Sequence, residues 1–372
     1  MDVLELTRQL IRFHTVNPPG GEGACAQHLG RLLEAAGFNV GAYDHAPGRT
    51  SLVARLGGSS SRAPLCFAGH VDTVPLGATP WKSDPFGGET ADGRLLGRGS
   101  SDMKGGVAAF VTAAIRLVQQ LPGTPGIVLV ITAGEETGCD GARHLAAIPG
   151  VLGAAGALVI AEPTSNYPCV GHKGALWLRA RAGGVTAHGS MPERGVNAIY
   201  KAARAVTAIE GFEFGEPPHP ALGKPSLNVG TIAGGLNINS VPDEAILGID
   251  IRTLPGQKHA ALRERLREHV GGDITWSSLV DVEAVWTDPQ DPWIQDVFDH
   301  ASPLLGARPE TRGAPYFTDA AVLTAAYGAP PTLILGPGEM EMAHKTDEYC
   351  RIERLEQAVE LYVEIARGWC GL

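Results

Sequence analysis

Cysteine is scarce in this sequence of 372 residues, and its positions form no motif. The six cysteines include no Cys-x-x-Cys pair and are scattered along the chain, at Cys25, Cys66, Cys139, Cys169, Cys350 and Cys370. This distribution argues against a disulfide framework and against a zinc–thiolate site, and it favours buried, reduced thiols in a cytoplasmic protein. Any metal ion would therefore have to bind to histidine, aspartate and glutamate side chains.

Long hydrophobic runs and an excess of positive charge are also missing. No apolar stretch reaches the roughly 20 residues that a membrane-spanning helix needs, and the acidic segment at residues 1–5 is unlike a signal peptide. The 30 Lys and Arg residues are outnumbered by 40 Asp and Glu residues, which gives a formal net charge of −10. We therefore expect a cytoplasmic protein whose partners are neither membranes nor nucleic acids.

The length and the order of the predicted elements indicate two domains. Up to about residue 170, apolar strands alternate with helices, which predicts an α/β domain with a central, mostly parallel sheet flanked by helices. Three half-exposed strands with two helices follow and predict a smaller α+β unit with an antiparallel sheet. Because the alternation returns later, we predict a discontinuous first domain and an inserted second domain, at residues 1–173 with 284–372 and at residues 174–283.

The motif His70-Val71-Asp72 follows a short apolar run at residues 65–68. Residues two positions apart in an extended chain point the same way, so His70 and Asp72 would share one face at the end of a strand. Active sites of parallel sheets lie at such strand ends. Asp72 could hold the second ring nitrogen of a metal-binding histidine or orient a neighbouring catalytic group. A surface pair or an ordinary hydrogen bond is the alternative interpretation.

Further carboxylates follow other apolar segments, in loops rich in glycine, at Asp102, Glu135, Glu136 and Glu162. Each one taken alone could belong to a solvated acidic loop. Carboxylates that lie close together repel one another, and a divalent cation between them removes that penalty. Because several independent strands each end in a carboxylate, the pattern indicates a metal site.

The available ligand types suit particular metals. Imidazole and carboxylate ligands without thiolate favour zinc, cobalt or manganese. Two histidines and three carboxylates suffice for two ions when one carboxylate bridges them, as in two-metal hydrolases. The second histidine must come from elsewhere in the chain, and His344, in a polar loop after an apolar strand, is the candidate. The sequence thus predicts two divalent metal ions as cofactors, most simply Zn²⁺, with Co²⁺ or Mn²⁺ as alternatives.

These motifs together resemble those of the M20 metallopeptidase and deacylase family. The resemblance covers nearly the whole chain, and the matching segments occur in the family's order, at residues 69–75, 99–106, 133–138, 161–165, 188–199 and 335–349. Within the family, the chain is most similar to the acetylornithine deacetylase branch and is also similar to succinyl-diaminopimelate desuccinylases. The segments that carry this closer similarity lie at residues 162–165, 172–174, 194–199, 250–256, 335–338 and 343–344.

The resemblance implies a role for each residue of the predicted metal site. Asp102 would bridge two metals, with His70 and Glu162 completing one ion and Glu136 and His344 the other. Glu135 would be the general base, and a base beside a ligand agrees with the chemistry, since it must lie near the bound water without being a ligand itself. The resemblance further implies that Asp72 supports His70 and that the peptide between Asp102 and Met103 is cis.

Three residues of the inserted domain complete the implied site. By resemblance, His188 reaches across a homodimer into the partner's site and hydrogen-bonds the substrate carbonyl as charge develops there; a surface or packing histidine is the alternative. Arg252 would bind the α-carboxylate of an amino-acid substrate, or it could form a surface ion pair. Asn239 matches a family asparagine near the substrate, although a turn residue explains it equally well.

The resemblance implies a zinc-dependent hydrolase that cleaves the amide bond of small N-acyl-L-amino acids, releasing acetate from an N-acetyl amino acid. A dipeptidase or glutamate carboxypeptidase would use the same metals with another pocket. A succinyl-diaminopimelate desuccinylase would need an additional cationic group for the succinyl carboxylate. A non-catalytic dimeric binding protein is a further alternative, although such proteins usually lose a ligand or the base, and none is missing here.

Overall fold

The computed structural model describes residues 1–58, 60–272 and 274–372. Its helices are α1 Val3–Ile11, α2 Gly23–Ala35, α3 Lys104–Leu117, α4 Asp140–Ala147, α5 Ala198–Glu210, α6 His259–Val270, α7 Pro292–Leu305, α8 Ala320–Ala326 and α9 Ile352–Cys370. Its strands are β1 Asn39–Ala46, β2 Arg49–Leu56, β3 Leu65–His70, β4 Thr90–Ala91, β5 Arg94–Leu96, β6 Ile127–Thr132, β7 Ala157–Ile160, β8 Gly171–His172, β9 Gly174–Gly183, β10 Ser226–Gly234, β11 Glu244–Thr253, β12 Ile274–Val282, β13 Val285–Trp286, β14 Thr332–Ile334 and β15 Tyr349–Arg351.

The chain divides into two compact units. The first consists of Met1–His172, Val285–Ala314 and Thr318–Leu372, and the second consists of Lys173–Ala284 and Pro315–Phe317. The sequence analysis placed residues 315–317 in the first domain. In the structure they cluster with the second unit, where the Phe317 ring packs edge-on against Trp177 at 5.9 Å between centroids.

The first unit is built on a six-stranded sheet with the order β1-β2-β6-β3-β7-β14. Strands β6, β3, β7 and β14 run parallel to one another, whereas β2 pairs antiparallel with both β1 and β6. Strands β3, β6 and β7 are buried along their whole length, as expected of parallel strands that are covered on both faces. The predicted α/β fold with a mostly parallel sheet is confirmed.

Helices α1, α2, α3, α7 and α9 join alternate residues of the strands in one hydrophobic core. Two sequence signals set the start of α1 and α7: Asp2 and Asp291 cap the free N–H groups of the first turn with their carboxylates. Helix α3 approaches the end of β7 closely because it has glycine at Gly106. A Cβ atom there would lie 2.1 Å from the Ala161 carbonyl oxygen, so glycine allows α3 to lie this close to the end of β7.

The second unit contains an antiparallel sheet with the order β10-β11-β9-β12. Strand β11 alternates between half-buried and buried residues along its length, and helices α5 and α6 pack on the buried face. The three strands predicted for this unit, at residues 175–182, 226–232 and 245–252, correspond to β9, β10 and β11, whereas β12 was not predicted. None of the helices formed by residues 1–58, 60–272 and 274–372 combines the length and the hydropathy that crossing a bilayer requires.

Candidate metal centre

The candidate site lies where the parallel strands of the first unit end. His70 is the last residue of β3 and pairs in register with Thr132, the last residue of β6. The loop after β6 carries Glu135 and Glu136, and the loop after β7 carries Glu162. Because the carboxyl ends of parallel strands meet at one edge of a sheet, residues that are distant in the sequence come together here.

The first group of possible ligands consists of His70, Asp102 and Glu162, all of them buried. The Nε2 atom of His70 lies 3.4 Å from Oδ1 of Asp102 and 3.7 Å from Oε1 of Glu162. These distances are close to the edge of a tetrahedron around a zinc ion, about 3.3 Å for bonds of about 2.0–2.1 Å.

The second group consists of Asp102, Glu136 and His344. The Nε2 atom of His344 lies 3.1 Å from Oε2 of Glu136 and 3.4 Å from Oδ2 of Asp102. Asp102 is common to both groups, and each of its oxygens faces a different histidine. A carboxylate in this position can bridge two ions.

The oxygen and nitrogen atoms of the site are better satisfied by divalent cations than by contacts with one another. The Oε1 atoms of Glu135 and Glu136 are buried, and no hydrogen-bond donor of the described residues reaches them. A buried carboxylate oxygen without a partner is costly, and a cation removes that cost. The set contains imidazole and carboxylate groups without thiolate, which suits zinc, cobalt or manganese.

The electrostatics of the two groups lead to the same conclusion. Burial and the neighbouring Asp102 raise the pKa of Glu136. Burial raises the pKa of Glu162 well above its ordinary value, although His70 opposes this change. Burial lowers the pKa of His70, but hydrogen bonding to Asp102 and Asp72 and the negative charge of Glu162 together outweigh it and raise this pKa well above its ordinary value. Hydrogen bonds to Asp102 and Glu136 raise the pKa of His344 to about 10. The raised pKa values mean that the cluster attracts positive charge, which a divalent cation would also supply.

Glu135 lies beside the two groups and belongs to neither. Its Oε2 atom is 3.9 Å from Nε2 of His70. Burial raises the pKa of Glu135 well above its ordinary value, and repulsion by Glu162 and Glu136 adds to this against the attraction of His70. A free carboxylate next to a ligand cluster is suitably placed to accept a proton.

Asp72 connects the histidine to the glutamates. Nδ1 of His70 lies 3.0 Å from the main-chain oxygen of Asp72 and 3.4 Å from its carboxylate. The same carboxylate accepts hydrogen bonds from the main-chain N–H groups of Glu135 and Glu136, at 3.1 and 3.2 Å. Although burial raises the pKa of Asp72, its hydrogen bonds with His70 and Asn17 hold it below the ordinary value.

Two buried residues of the site were missed by the sequence analysis. Asn17 donates from Nδ2 to Asp72 at 2.9 Å and to the Thr137 hydroxyl at 3.1 Å. Asp319 accepts a 2.5 Å hydrogen bond from the Thr132 hydroxyl, and burial raises its pKa to about 6. The available signals were a polar residue before two prolines for Asn17 and an acidic residue before a small-residue helix for Asp319.

The peptide bond between Asp102 and Met103 is cis, as the family resemblance implied.

The structure places His188 and Asn239 next to each other in the second unit. The main-chain N–H of Gly189 donates to the Asn239 carbonyl at 2.7 Å, and His188 forms an isolated bridge with Ser240. Both His188 and Asn239 are exposed. The Nδ1 atom of His188 lies 2.7 Å from the Ser190 hydroxyl. The other ring nitrogen, Nε2, takes no part in this contact.

Arg252, near the end of β11 in the same unit, is held by an acidic residue and two rings. Its Nε atom lies 2.9 Å from an oxygen of Asp250. The guanidinium carbon lies 5.9 Å from the centre of the Trp177 ring and 5.8 Å from that of Phe317. The guanidinium thus lies beside a carboxylate and within cation–π distance of two aromatic rings.

Comparisons with known proteins agree with this geometry. The profile of peptidase family M20/M25/M40 matches residues 66–368. The chain is 32% identical to an acetylornithine deacetylase from Proteus mirabilis, over 99% of this chain and 96% of that protein. It is 29% identical to a succinyl-diaminopimelate desuccinylase from Cereibacter sphaeroides, over 99% of both. In fold, it matches an M20 family metallo-carboxypeptidase from Sulfolobus solfataricus with a TM-score of 0.83 at 18% identity, over 100% of both chains. The predicted resemblance is confirmed, and the chain belongs to peptidase family M20/M25/M40.

Proposed function

We propose that this protein is a two-metal hydrolase of N-acyl-L-amino acids that acts most readily on N-acetylated substrates such as acetylornithine. The observation that carries the proposal is the pair of ligand groups that share Asp102, with Glu135 directly beside them. The nearly full-length similarity to an acetylornithine deacetylase supports the substrate class.

The residues present would hold two divalent ions, most simply zinc. His70, Asp102 and Glu162 would hold one, and Asp102, Glu136 and His344 the other. When bound, the ions would supply Lewis acidity at the acyl carbonyl and lower the pKa of the attacking water.

Glu135 would move the proton that the reaction transfers. Its carboxylate takes a proton from the attacking water as the water oxygen bonds to the acyl carbon. It then gives this proton to the amide nitrogen as the carbon–nitrogen bond breaks, so that a carboxylic acid and an amine leave. The Glu135 carboxylate lies 3.9 Å from Nε2 of His70 and belongs to neither ligand group, so it is free to exchange a proton with a water molecule held there.

The second unit would bind the substrate. The planar guanidinium of Arg252, held against Trp177 and Phe317, would bind the α-carboxylate through parallel hydrogen bonds. The exposed His188 would donate to the substrate carbonyl oxygen as negative charge develops on it. Asn239, adjacent to His188, would contact the same part of the substrate.

We further propose that the protein is a homodimer assembled through the second unit, with His188 acting in the partner's site. Strand β10 is an edge strand, and such edges readily pair with another chain. Fully or largely exposed apolar side chains lie near it, including Leu236 at 96% and Ile238 at 104% relative exposure, with Ile232 at 56% and Tyr200 at 64%. Exposed apolar surface of this kind is typical of a protein interface.

A substrate panel with added zinc or cobalt tests the reaction class. We expect faster hydrolysis of N-acetyl amino acids than of N-succinyl amino acids or dipeptides. The succinyl substrates test the relationship to desuccinylases. A Glu135→Gln variant should keep both metal ions and lose about 10²–10⁴-fold in kcat, the usual contribution of general acid–base catalysis. Wild-type turnover by this variant, or by protein freed of metal, contradicts the proposal.

Complementation between two inactive variants tests the role of His188 in the partner's site. Co-expressed His188→Ala and Glu135→Gln chains form mixed dimers. If His188 acts in the partner, one site of each mixed dimer has both an intact Glu135 and an intact His188, and activity returns. If it acts within its own chain, no site is complete. A mass in solution equal to one chain, with activity retained, also rejects the dimer.

A further inference from the structure

A buried carboxylate that the sequence analysis did not single out holds the segment that carries Asp102. The Oε1 atom of Glu348 accepts hydrogen bonds from the main-chain N–H groups of Ser101 and Asp102, at 2.8 and 3.0 Å. Its Oε2 atom accepts from the Gly99 N–H at 3.0 Å and from the Arg98 guanidinium at 2.7 Å. The Glu348 side chain has no exposed surface, so these four hydrogen bonds satisfy a carboxylate that bulk water does not reach.

Arg98 extends the connection to two further segments. Its Nη2 atom donates to the Pro75 carbonyl at 3.1 Å, and Nη1 also donates to the Lys345 carbonyl at 3.2 Å. Pro75 ends the segment that begins at His70, and Lys345 directly follows His344. The side chain of Arg98 is only 1% exposed. One ion pair therefore contacts the main chain of three segments that bear candidate ligands.

Stability alone does not account for this arrangement. Replacing a buried ion pair by apolar residues of similar volume is often neutral or stabilising, because desolvation offsets the attraction. An apolar pair, however, could not accept three main-chain N–H groups or donate to two carbonyls. Buried loop backbone needs such partners, and here the loop backbone that needs them belongs to the segments of Asp102 and His344.

The two ligand groups differ in how much other support they have. His70 ends the fully buried strand β3, and Glu162 follows the fully buried β7. The side chain of His344, in contrast, is 57% exposed, and residues 341–347 around it are exposed or half-buried. The second ligand group therefore depends more on its main-chain anchors than the first one does.

We propose that Arg98 and Glu348 are positioning residues that set the spacing of the two metal sites by fixing the main chain beside Asp102 and His344, a role that rests on the proposed two-metal function. Loss of the pair should weaken the ion held by Asp102, Glu136 and His344 more than the ion held by His70, Asp102 and Glu162. Residues that orient metal ligands typically change affinity by about 10–100-fold, and we expect a loss of that size at the second group.

Two variants test the pair, with a matched control. Glu348→Gln keeps the shape but places an NH₂ group against N–H donors, and Arg98→Lys keeps the charge but cannot reach both carbonyls. The milder Arg98→Lys serves if Glu348→Gln does not fold. The control is Asp281→Asn, which removes a carboxylate that pairs with Arg263 and His259 in the second unit.

The first measurement is a titration of metal-free protein with Co²⁺ in competition with a chelator, followed by absorbance. We expect the first equivalent to bind within about threefold of wild type and the second to bind about 10–100-fold more weakly in both variants, but not in Asp281→Asn. Wild-type affinity for both equivalents, or an equal loss in Asp281→Asn, overturns the proposal.

The second measurement is hydrogen exchange of the metal-free proteins, which needs no metal and no activity. Peptides covering residues 97–103 and 343–349 should exchange faster in Glu348→Gln than in wild type. In Asp281→Asn, these peptides should exchange at the wild-type rate. Unchanged exchange in Glu348→Gln rejects the positioning role. Faster exchange in a protein whose wild type binds no Co²⁺ and no Zn²⁺ would instead reject the two-metal function, and with it the proposed effect on metal spacing.

Discussion

An Asp72→Asn substitution tests whether one carboxylate supports both the histidine and the glutamates of the metal centre. Asp72 accepts hydrogen bonds from Asn17 Nδ2 at 2.9 Å and from the main-chain N–H groups of Glu135 and Glu136 at 3.1 and 3.2 Å. Its Oδ1 atom also lies 3.4 Å from Nδ1 of His70. Asparagine has nearly the same shape, but it carries an NH₂ group in place of one oxygen.

The expected size of the effect follows from these contacts. The Glu135 N–H donates to Oδ1 and the Glu136 N–H donates to Oδ2, so an NH₂ group in either position faces a main-chain donor. A buried donor without an acceptor costs about 1–3 kcal/mol, and the remaining bonds lose their charge assistance. We expect the free energy of unfolding of the metal-free protein to fall by about 2–4 kcal/mol and metal affinity to fall about 10–100-fold.

Urea unfolding in the presence of EDTA measures the stability change, and competition with a chelator measures metal affinity. The control is Asp44→Asn, since Asp44 is exposed and accepts a hydrogen bond from the Thr50 hydroxyl at 2.6 Å. Exposed substitutions usually change stability by less than about 0.5 kcal/mol. If Asp72→Asn matches Asp44→Asn in both measurements, the supporting role assigned to Asp72 is wrong.

Three further predictions concern the core, the pH dependence and the thiols. Phe67→Ala, at a fully buried ring of β3, should lower the free energy of unfolding by about 3–5 kcal/mol, measured by urea unfolding. Because burial raises the pKa of Glu136 and of Glu162, the folded metal-free protein binds protons that the unfolded chain releases. Its free energy of unfolding should therefore fall as pH rises from about 4.5 through the raised pKa values, and saturating Zn²⁺ should remove this fall. Burial raises the pKa of Cys25 to about 11 and that of Cys66 to about 12, so neither should react with iodoacetamide at pH 7.5 until the protein unfolds, as judged by mass spectrometry.

Each of these predictions has a clear contrary outcome. A loss below about 1 kcal/mol in Phe67→Ala would mean that the core collapses around the missing ring. Stability of the metal-free protein that rises between pH 5 and 8 would contradict the sign of the carboxylate titration. Labelling of Cys25 or Cys66 under native conditions, at the rate seen in urea, would show that these thiols are accessible in the folded state.

The strands that deliver the ligands were predictable because their signal is local. Residues 127–131 form a continuous apolar run, and a short apolar run of this kind predicts a buried strand. The carboxylates that follow these strands were predictable as a group, since parallel strands bring their ends to one edge. The assignment of metal ligands, of Glu135 as base and of His188, Arg252 and Asn239 as substrate contacts came from the family resemblance, and these assignments stay predictions.

Elements with a weak local signal were missed. Strand β12 reads Ile-Thr-Trp-Ser-Ser-Leu-Val-Asp-Val, and its serines and its break in alternation hide the period of two. Pairing with β9 supplies what the local sequence lacks, and the register shifts between Ser278 and Val280. Helix α4 was also not predicted. It has only eight residues, and its N-cap residue, Cys139, is not one of the residues that usually cap a helix.

The supports of the site were missed for a different reason. Asn17 contacts Asp72 across 55 residues of sequence, and Glu348 contacts Asp102 across 246. Glu348 accepts from the main-chain N–H groups of Gly99, Ser101 and Asp102, and every residue except proline possesses such a group. A donor that is present almost everywhere gives no pattern to read, and only the folded backbone shows which carboxylate it meets.

Asp72 and Glu348 support the candidate metal site in the same way. Each is a buried carboxylate that accepts main-chain N–H groups of a segment that carries ligands or the base. A carboxylate offers about four acceptor positions, so it can satisfy several N–H groups of an irregular loop that could not otherwise be buried. Because these hydrogen bonds do not involve a metal ion, we expect the loops to keep this conformation in the metal-free protein, and little binding energy would then go into arranging them. The same preorganisation keeps negative charges close together in the metal-free protein, which is why both its stability and its proton content should respond to metal.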